Sequence, residues 1–490
     1  MQFSIIHTSK LDSIVFRLDA EYYHPKHIAL ENKLKTISLI SIRDAEGSID
    51  CSAFYPSIVP YYNFEKVGIP FLRVNEIQNG LLHLTQDTAF LPKEILDENN
   101  STIAKCQAGD LIIAKGGNSL AKVALITEDY KAYSICRDVI VLQTQELVKI
   151  NKYYLWMFLH SKIGQQLLLR TASQTGQPHL TVEALYQLEI PLFSSRFQNN
   201  FEWLYNQAQD IKKKSENIYI QAQTLLLSEL GLLDWKPKHQ LSFVKNFSDT
   251  QNAGRFDAEY FQPKYEEIVK AIKGYKGGWD ILENLCELVG HPSNPPYADT
   301  EDKDKTFIVT QKHLGDFSLN DEFWKDEVAL YTTQEFLHKN TQYILQQGDV
   351  LLYSVGAYIG KANIYTENIK ATIGSFLTLI RTKGEILNPF YLMSFLNTDI
   401  GIAISKQHQR GMAQQYLYPY DIRNFPIPLL AKEIQNQIQK KITESFKLRK
   451  QSKQLLEAAK TAVEMAIEKS EKEAEEWLKN EMKGIGVNVK

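Results

Sequence analysis

The sequence predicts an α+β protein with two pseudo-symmetric β-rich domains separated by two long antiparallel coiled-coil helices. Three observations carry this expectation. The stretch RFDAEYFQPKYEEIVKAIK at 255–273 restates RLDAEYYHPKHIALENKLK at 17–35, a shift of 238 in a chain of 490 residues. Short periods mean stacked repeats, whereas a period near half the chain length means a duplicated domain. GDLIIAKGGNSLAKVALI (109–126) and GDVLLYSVGAYIGKANIY (348–365) match at a shift of 239. Finally, Phe201, Leu204, Ala208, Ile211, Ser215, Ile218, Ala222 and Leu225 fall at alternating steps of three and four, a heptad seam.

Taken in order, residues 2–6 and 241–244 read as short apolar strands leading into the two Asp-Ala-Glu-Tyr segments. Pro25 and Pro263 fall at the first turn of a helix, where a missing N–H costs least. PSIVPYY (56–62) and PSNPPYA (292–298) precede the β-rich runs IPFLRVNEI and KTFIVTQKHL. Each Gly-Asp block then reads as a turn, a buried strand, a Gly-containing loop and a second strand. NKYYLWMFLHSKIG (151–164) and NPFYLMSFLNTDIG (388–401) have helical apolar spacing. Gln-rich loops follow, TASQTGQPHL (171–180) and KQHQRGMAQQYL (406–417), and then a strand ending in Ile-Pro-Leu. Seven residues beyond each of those prolines stand Gln198 and Gln435.

Adding 237 to the first seam gives Ile438, Lys441, Ser445, Leu448, Ser452, Leu455, Ala459 and Ala462, with Lys441 the one poor fit. Small residues on both seams let two helices approach closely, and helices related by a pseudo-two-fold run antiparallel. The expected division is 1–194 for the first domain, 195–235 for the central helix and 236–431 for the second domain. The distal helix takes 432–483 and a tail 484–490. The second helix is expected to continue past Ala466 towards Trp477, with EKSEKEAEEW as a solvated face and GIGVNVK as a loose tail.

Composition narrows the function. A net charge of −3 argues against a strongly basic nucleic-acid binder, so contact with DNA must rest on local patches. The four cysteines show no metal spacing, which fits free thiols in a reducing compartment. The first residues lack the apolar core of a signal peptide, and no run reaches 18 uncharged apolar residues. The expectation is a cytoplasmic protein without a membrane span.

With these blocks in hand, the chain resembles the specificity (S) subunit of type I DNA restriction-modification systems. The carriers are Gly109-Asp110 through Lys122, Gly348-Asp349 through Lys361, the Ile-Pro-Leu strands with Gln198 and Gln435, the polar loop 174–177 and the long helix after each copy. The resemblance implies two target-recognition domains, each reading one half of a split site in double-stranded DNA. It implies helices that set the spacing and dock two methylation (M) subunits, with a motor-nuclease (R) subunit joining for cleavage. It implies no catalysis and no cofactor or metal in this chain. Phe193-Ser194-Ser195-Arg196 departs from the family's Pro-containing turn and leaves the start of the helix open. A helix from Gln198 to about Leu230 spans roughly 50 Å, somewhat more than one DNA turn of about 34–36 Å, so a bipartite target with a fixed gap is expected.

The DNA-binding candidates lie on two loop pairs. Lys115, Asn118, Ser119 and Lys122, with Ser354, Tyr358 and Lys361 in the second copy, flank glycines that permit close backbone approach. Gln174, Thr175 and Gln177, with Gln407, Arg410, Gln414 and Gln415, carry amides suited to the adenine edge and a guanidinium suited to guanine. Neither Gly loop has the order of a phosphate-cradling P-loop. Asn294-Pro295-Pro296-Tyr297 has the letters of an adenine amino-methyltransferase signature. No Gly-rich cofactor loop accompanies it, and the first copy has Ile58-Val59-Pro60-Tyr61 there. A self-contained adenine-N6 methyltransferase and a coiled-coil adaptor without a DNA role are the competing readings. Asp19, Glu21, Asp257 and Glu259 would share a face on a strand, but Arg17 and Arg255 two positions earlier favour a local ion-pair network. His179 and His408 read as loop residues rather than metal ligands.

Overall fold

Each Gly-Asp turn puts its glycine at a backbone angle that side chains resist, φ 91° at Gly109 and 95° at Gly348. Each then buries its aspartate under the strand that follows. Asp110 accepts from the backbone N–H groups of Gln107 (2.9 Å) and Thr144 (3.0 Å). Asp349 accepts from Gln346 N–H at 2.8 Å and takes a bidentate pair from Arg381, both bonds 2.8 Å. These carboxylates are structural.

The computed structural model describes residues 6–7, 11, 18–53, 58–85, 87–127, 130–172, 178–236, 238–298, 305–315, 317–320, 329–356, 358–411 and 414–487. The chain forms two compact units, Met1–Lys212 with Arg449–Lys490, and Lys213–Leu448. Each unit takes part of both long helices.

In the first unit a six-stranded sheet runs in the order Ser48–Cys51, Val139–Gln143, Leu111–Ala114, Val123–Leu125, Leu81–Leu82, Ile77–Gln78. A four-stranded sheet holds Ala89–Leu91, Ile69–Leu72, Tyr133–Ile135 and Lys105–Cys106, with the middle two parallel. In the second unit Cys286–Gly290, Leu377–Thr382, Val350–Tyr353 and Ala362–Ile364 form the matching antiparallel sheet. Tyr331–Thr333, Lys305–Val309 and Ala371–Ile373 form the other, again with one parallel pair. Register repeats as well: Val139 pairs with Ala114 and Leu377 with Tyr353. Leu111–Ala114 and Val350–Tyr353 are buried at every position, as strands covered on both faces must be.

The helical block of each copy is two helices, Lys152–His160 and Lys162–Thr171, then Pro389–Leu396 and Asp399–Gln407. Asn151 and Asn388 cap the first of each pair, and Ser161 and Thr398 cap the second. Tyr154 donates to the Pro191 carbonyl at 2.6 Å and Tyr391 to that of Pro428 at 2.7 Å, tying these helices to the Ile-Pro strands.

The central long helix is Ser195–Glu229 and the distal one Lys432–Glu468. Ser194 settles the open start: its Oγ accepts from Phe197 N–H at 3.2 Å. Antiparallel packing holds within each unit. In the first, Ser452 donates to the Ala208 carbonyl (2.7 Å), while Ser194, just before the central helix, meets Glu471, just beyond the end of the distal one. In the second, Ser215 and Ser445 are fully buried and donate to each other's carbonyls at 2.8 and 2.9 Å, while Lys441 reaches Gln221 at 3.0 Å. The poor fit at Lys441 resolves by a one-residue slide, with Ile442 buried in its place. Likewise Leu226 is buried where Leu225 was expected, and Leu225 and Ile211 are only half-buried.

Other expectations fail. Residues 241–244 form no strand, and Leu241 and Val244 are almost fully exposed; residues 2–5 lie outside the described residues. The distal helix stops at Glu468, and Ser470 caps a separate helix, Glu471–Ile485. That helix buries Ala474, Leu478 and Met482 in the first unit's core, so EKSEKEAEEW is amphipathic and 484–487 is no loose tail. The Asp-Ala-Glu-Tyr segments are turns rather than strands. Asp19 and Asp257 accept from Tyr22 and Tyr260 N–H at 3.0 and 3.2 Å, closing those turns. Arg255 forms the expected bidentate pair with Asp257, at 2.8 and 2.9 Å; Arg17 lies outside the described residues.

Candidate nucleic-acid interface

Three backbone segments meet on each unit. In the first, the hairpin loop 115–122 joins Leu111–Ala114 to Val123–Leu125. Lys115 N–H donates to the Asp138 carbonyl (2.8 Å), joining the turn 136–138, and Leu180 N–H donates to the Lys115 carbonyl (2.9 Å). Gly116 bridges to His179, whose ring lies so close that a Cβ on Gly116 would collide with its Nδ1. In the second unit, Ser354 N–H donates to the Phe376 carbonyl (3.1 Å) and Leu417 N–H to the Ser354 carbonyl (2.8 Å). Val355 bridges to Tyr416. The hairpin loop and the end of the Gln-rich loop are therefore one surface in both units, a proximity that the 64 residues between Lys115 and Leu180 and the 62 between Ser354 and Leu417 hide in the sequence.

The candidate side chains divide. Lys122 and Asn118 are exposed, and Lys115 and Ser119 are half-buried beside them. Gln174, Thr175 and Gln177 lie outside the described residues. Lys361 is half-buried with its Nζ 5.9 Å from the ring centre of Tyr358, which is 43% exposed. Ser354 is withdrawn: it is buried, and its hydroxyl shares a 2.6 Å hydrogen bond with Thr378. Gln407 is half-buried, donating to the Tyr260 carbonyl at 3.3 Å while its own carbonyl accepts from Arg255. Gln414 and Gln415 are exposed, and Tyr416 donates to Gln414 Oε1 at 2.9 Å.

Arg410 does not present an open fork to guanine. Its Nε and Nη2 each lie 3.0 Å from the two oxygens of Asp421, and its guanidinium sits 5.3 Å from the Tyr420 ring centre. The carboxylate of Asp421 holds Arg410 above the usual guanidinium range. Arg410 thus braces the loop. His408 is packed between Tyr260 and Phe425 with Nδ1 2.9 Å from the Ile404 carbonyl, and burial pushes its pKa down. Among the described residues no group of three or more His, Cys, Asp or Glu is arranged to hold a metal ion.

Asn294 and Tyr297 of the Asn-Pro-Pro-Tyr stretch are exposed, and Asn294 accepts from Ser375 at 3.3 Å. The stretch follows Cys286–Gly290, an edge strand paired antiparallel.

A feature passed over in the sequence is the alternation Tyr416, Tyr418, Tyr420. Leu417 points into the core at 2% exposure, and the tyrosine rings stack outward. Neighbouring ring centres are 6.1 and 5.4 Å apart, with planes inclined by 17° and 9°.

This fold and surface define a duplicated β-rich scaffold that presents paired loop clusters. Residues 281–458 match the family model for the type I restriction modification DNA specificity domain. Over those residues the chain carries that domain. Among solved structures, the type I restriction-modification system S subunit from M. genitalium is 11% identical at a TM-score of 0.39, over 89% of this chain and 96% of that one. The HsdS subunit from Thermoanaerobacter tengcongensis is 16% identical at a TM-score of 0.26, over 91% and 96%. No curated protein sequence matches the chain. No helix among the described residues is long and apolar enough to cross a membrane.

Proposed function

We propose that the chain reads a bipartite, asymmetric site in double-stranded DNA, one half through each loop cluster, and directs partner subunits to it. The observation that carries this reading is the contrast within the duplication. The scaffold hydrogen bonds recur pair by pair, from Tyr154–Pro191 to Tyr391–Pro428, while the loop side chains differ. A scaffold kept in duplicate with different loop surfaces suits two different half-sites. Exposed amides at Asn118, Gln414 and Gln415 supply paired donors and acceptors for base edges, and Lys122 supplies a phosphate contact.

The chain itself is non-catalytic on this reading. Adenine methylation comes from two M subunits, and cleavage from an R subunit. With a net charge of −3, the chain alone binds DNA weakly, and partners supply much of the phosphate contact. Mapping methylated bases in DNA from cells carrying the system tests this directly. A split motif with a fixed, non-specific gap is expected; a continuous palindrome contradicts the proposal.

A further inference from the structure

The two loop clusters share a backbone and carry opposed chemistry. Where the first unit has Lys115, His179 and Thr181, the second has Ser354, Tyr416 and Tyr418. The backbone bonds Leu180–Lys115 and Leu417–Ser354 fix that correspondence. Asp138 is likewise replaced by Phe376, which is 53% exposed, at the matching turn. In the first unit Glu183 is bound to Arg43; its counterpart is Tyr420.

We propose that the second unit grips its half-site on duplex DNA mainly through the tyrosine ladder 416–420, with Lys361 beside it, where the first unit relies on the lysine pair Lys115 and Lys122. This rests on the DNA-reading role proposed above. The ladder is built before any ligand arrives: Leu417 anchors it in the core, and Arg410, pinned by Asp421, backs Tyr420. A preorganised surface avoids the ordering cost of binding. Tyr418 and Tyr420 remain 40% and 51% exposed, too much adjacent aromatic surface to be explained by the core. Phenol hydroxyls donate to phosphate oxygens, and ring edges suit deoxyribose and the thymine methyl. Neither contact neutralises a phosphate, so neither releases counterions. Binding through this unit is therefore less dependent on salt than binding through the first.

The test uses the full chain assembled with its M subunits and fluorescent duplexes carrying the methylation-mapped site, with either half scrambled. Tyr418→Ala with Tyr420→Ala should weaken binding at least about tenfold on the duplex retaining the second unit's half-site, the equivalent of one good contact. The salt slope on that duplex should not change. The Phe pair separates hydroxyl from ring, and both positions are exposed enough for either pair to fold, which an unchanged melting curve verifies. Lys115→Ala with Lys122→Ala should lower the salt slope by about one each on the other duplex. If the lysine pair acts and the tyrosine pair does not, or if the tyrosine pair changes the salt slope, the ladder proposal is overturned and the DNA-reading role stands. If neither pair alters binding, that role itself falls.

Discussion

The side-chain oxygen of Gln435 accepts a hydrogen bond from the backbone N–H of Asn388 at 2.8 Å. The same bond joins Gln198 to Asn151, also at 2.8 Å. Each Gln sits in the first turn of a long helix, and each Asn caps the first helix of its copy's helical pair. The amide also donates backwards, from Gln435 to the Leu430 carbonyl (2.8 Å) and from Gln198 to that of Phe193 (2.9 Å). One side chain thus fastens the long helix to the domain before it.

Gln435 is 2% exposed, so Gln435→Leu leaves buried backbone groups unpaired. The expected loss is about 2–3 kcal/mol of stability, read as a lower unfolding midpoint in urea. An unchanged midpoint would show that the lock is incidental.

Arg410 and its neighbours separate bracing from reading. Arg410→Ala strips Asp421 of its partner and should lower the melting temperature as well as DNA affinity. Gln414→Ala with Gln415→Ala should leave melting unchanged. It should weaken binding to the second unit's half-site by about 1–3 kcal/mol if the amides read a base edge. Equal melting for Arg410→Ala and the parent would refute the bracing role.

Burial holds His408 below the ordinary histidine value of 6.5, with Arg255 and Arg410 also opposing its charge and Asp421 favouring it. The unfolded chain therefore takes up this proton first as pH falls. The stability His408 contributes is full above about pH 6.5 and declines below it. His408→Gln should flatten the decline in melting temperature between about pH 7.5 and 5.5 relative to the parent. Parallel profiles would contradict the assignment.

Much of this was written in the sequence because duplication writes it twice. The Gly-Asp turns, the strand pairs and the small residues of the seam all recur at near-constant shifts. Some signals were present and unread. Ser470 with Glu473 has the Ser-x-x-Glu spacing of a helix start, and Glu473 N–H does bond Ser470 Oγ at 3.3 Å. Tyr416, Tyr418 and Tyr420 alternate with period two. Other features depend on tertiary contact. Asp421, eleven residues from Arg410, takes its guanidinium only because a turn returns the chain. Residues 241–244 alternate like a strand, yet among the described residues no strand pairs with them, and β propensity has no force without a partner.

If the paired helices set the distance between half-sites, four residues added to each of Ser195–Glu229 and Lys432–Glu468 lengthen that spacing by roughly 6 Å. The methylated motif should gain one to two base pairs of gap at about 3.4 Å each, with its specified letters unchanged. Altered letters would refute the ruler.

The central claim is that each loop cluster reads its own half of the site. Methylation mapping in cells carrying a chain with Gln414→Ala, Gln415→Ala, Tyr418→Ala and Tyr420→Ala tests it most directly. One half of the motif is expected to relax while the other half and the gap stay as they were. Relaxation of both halves, or of neither, would contradict it.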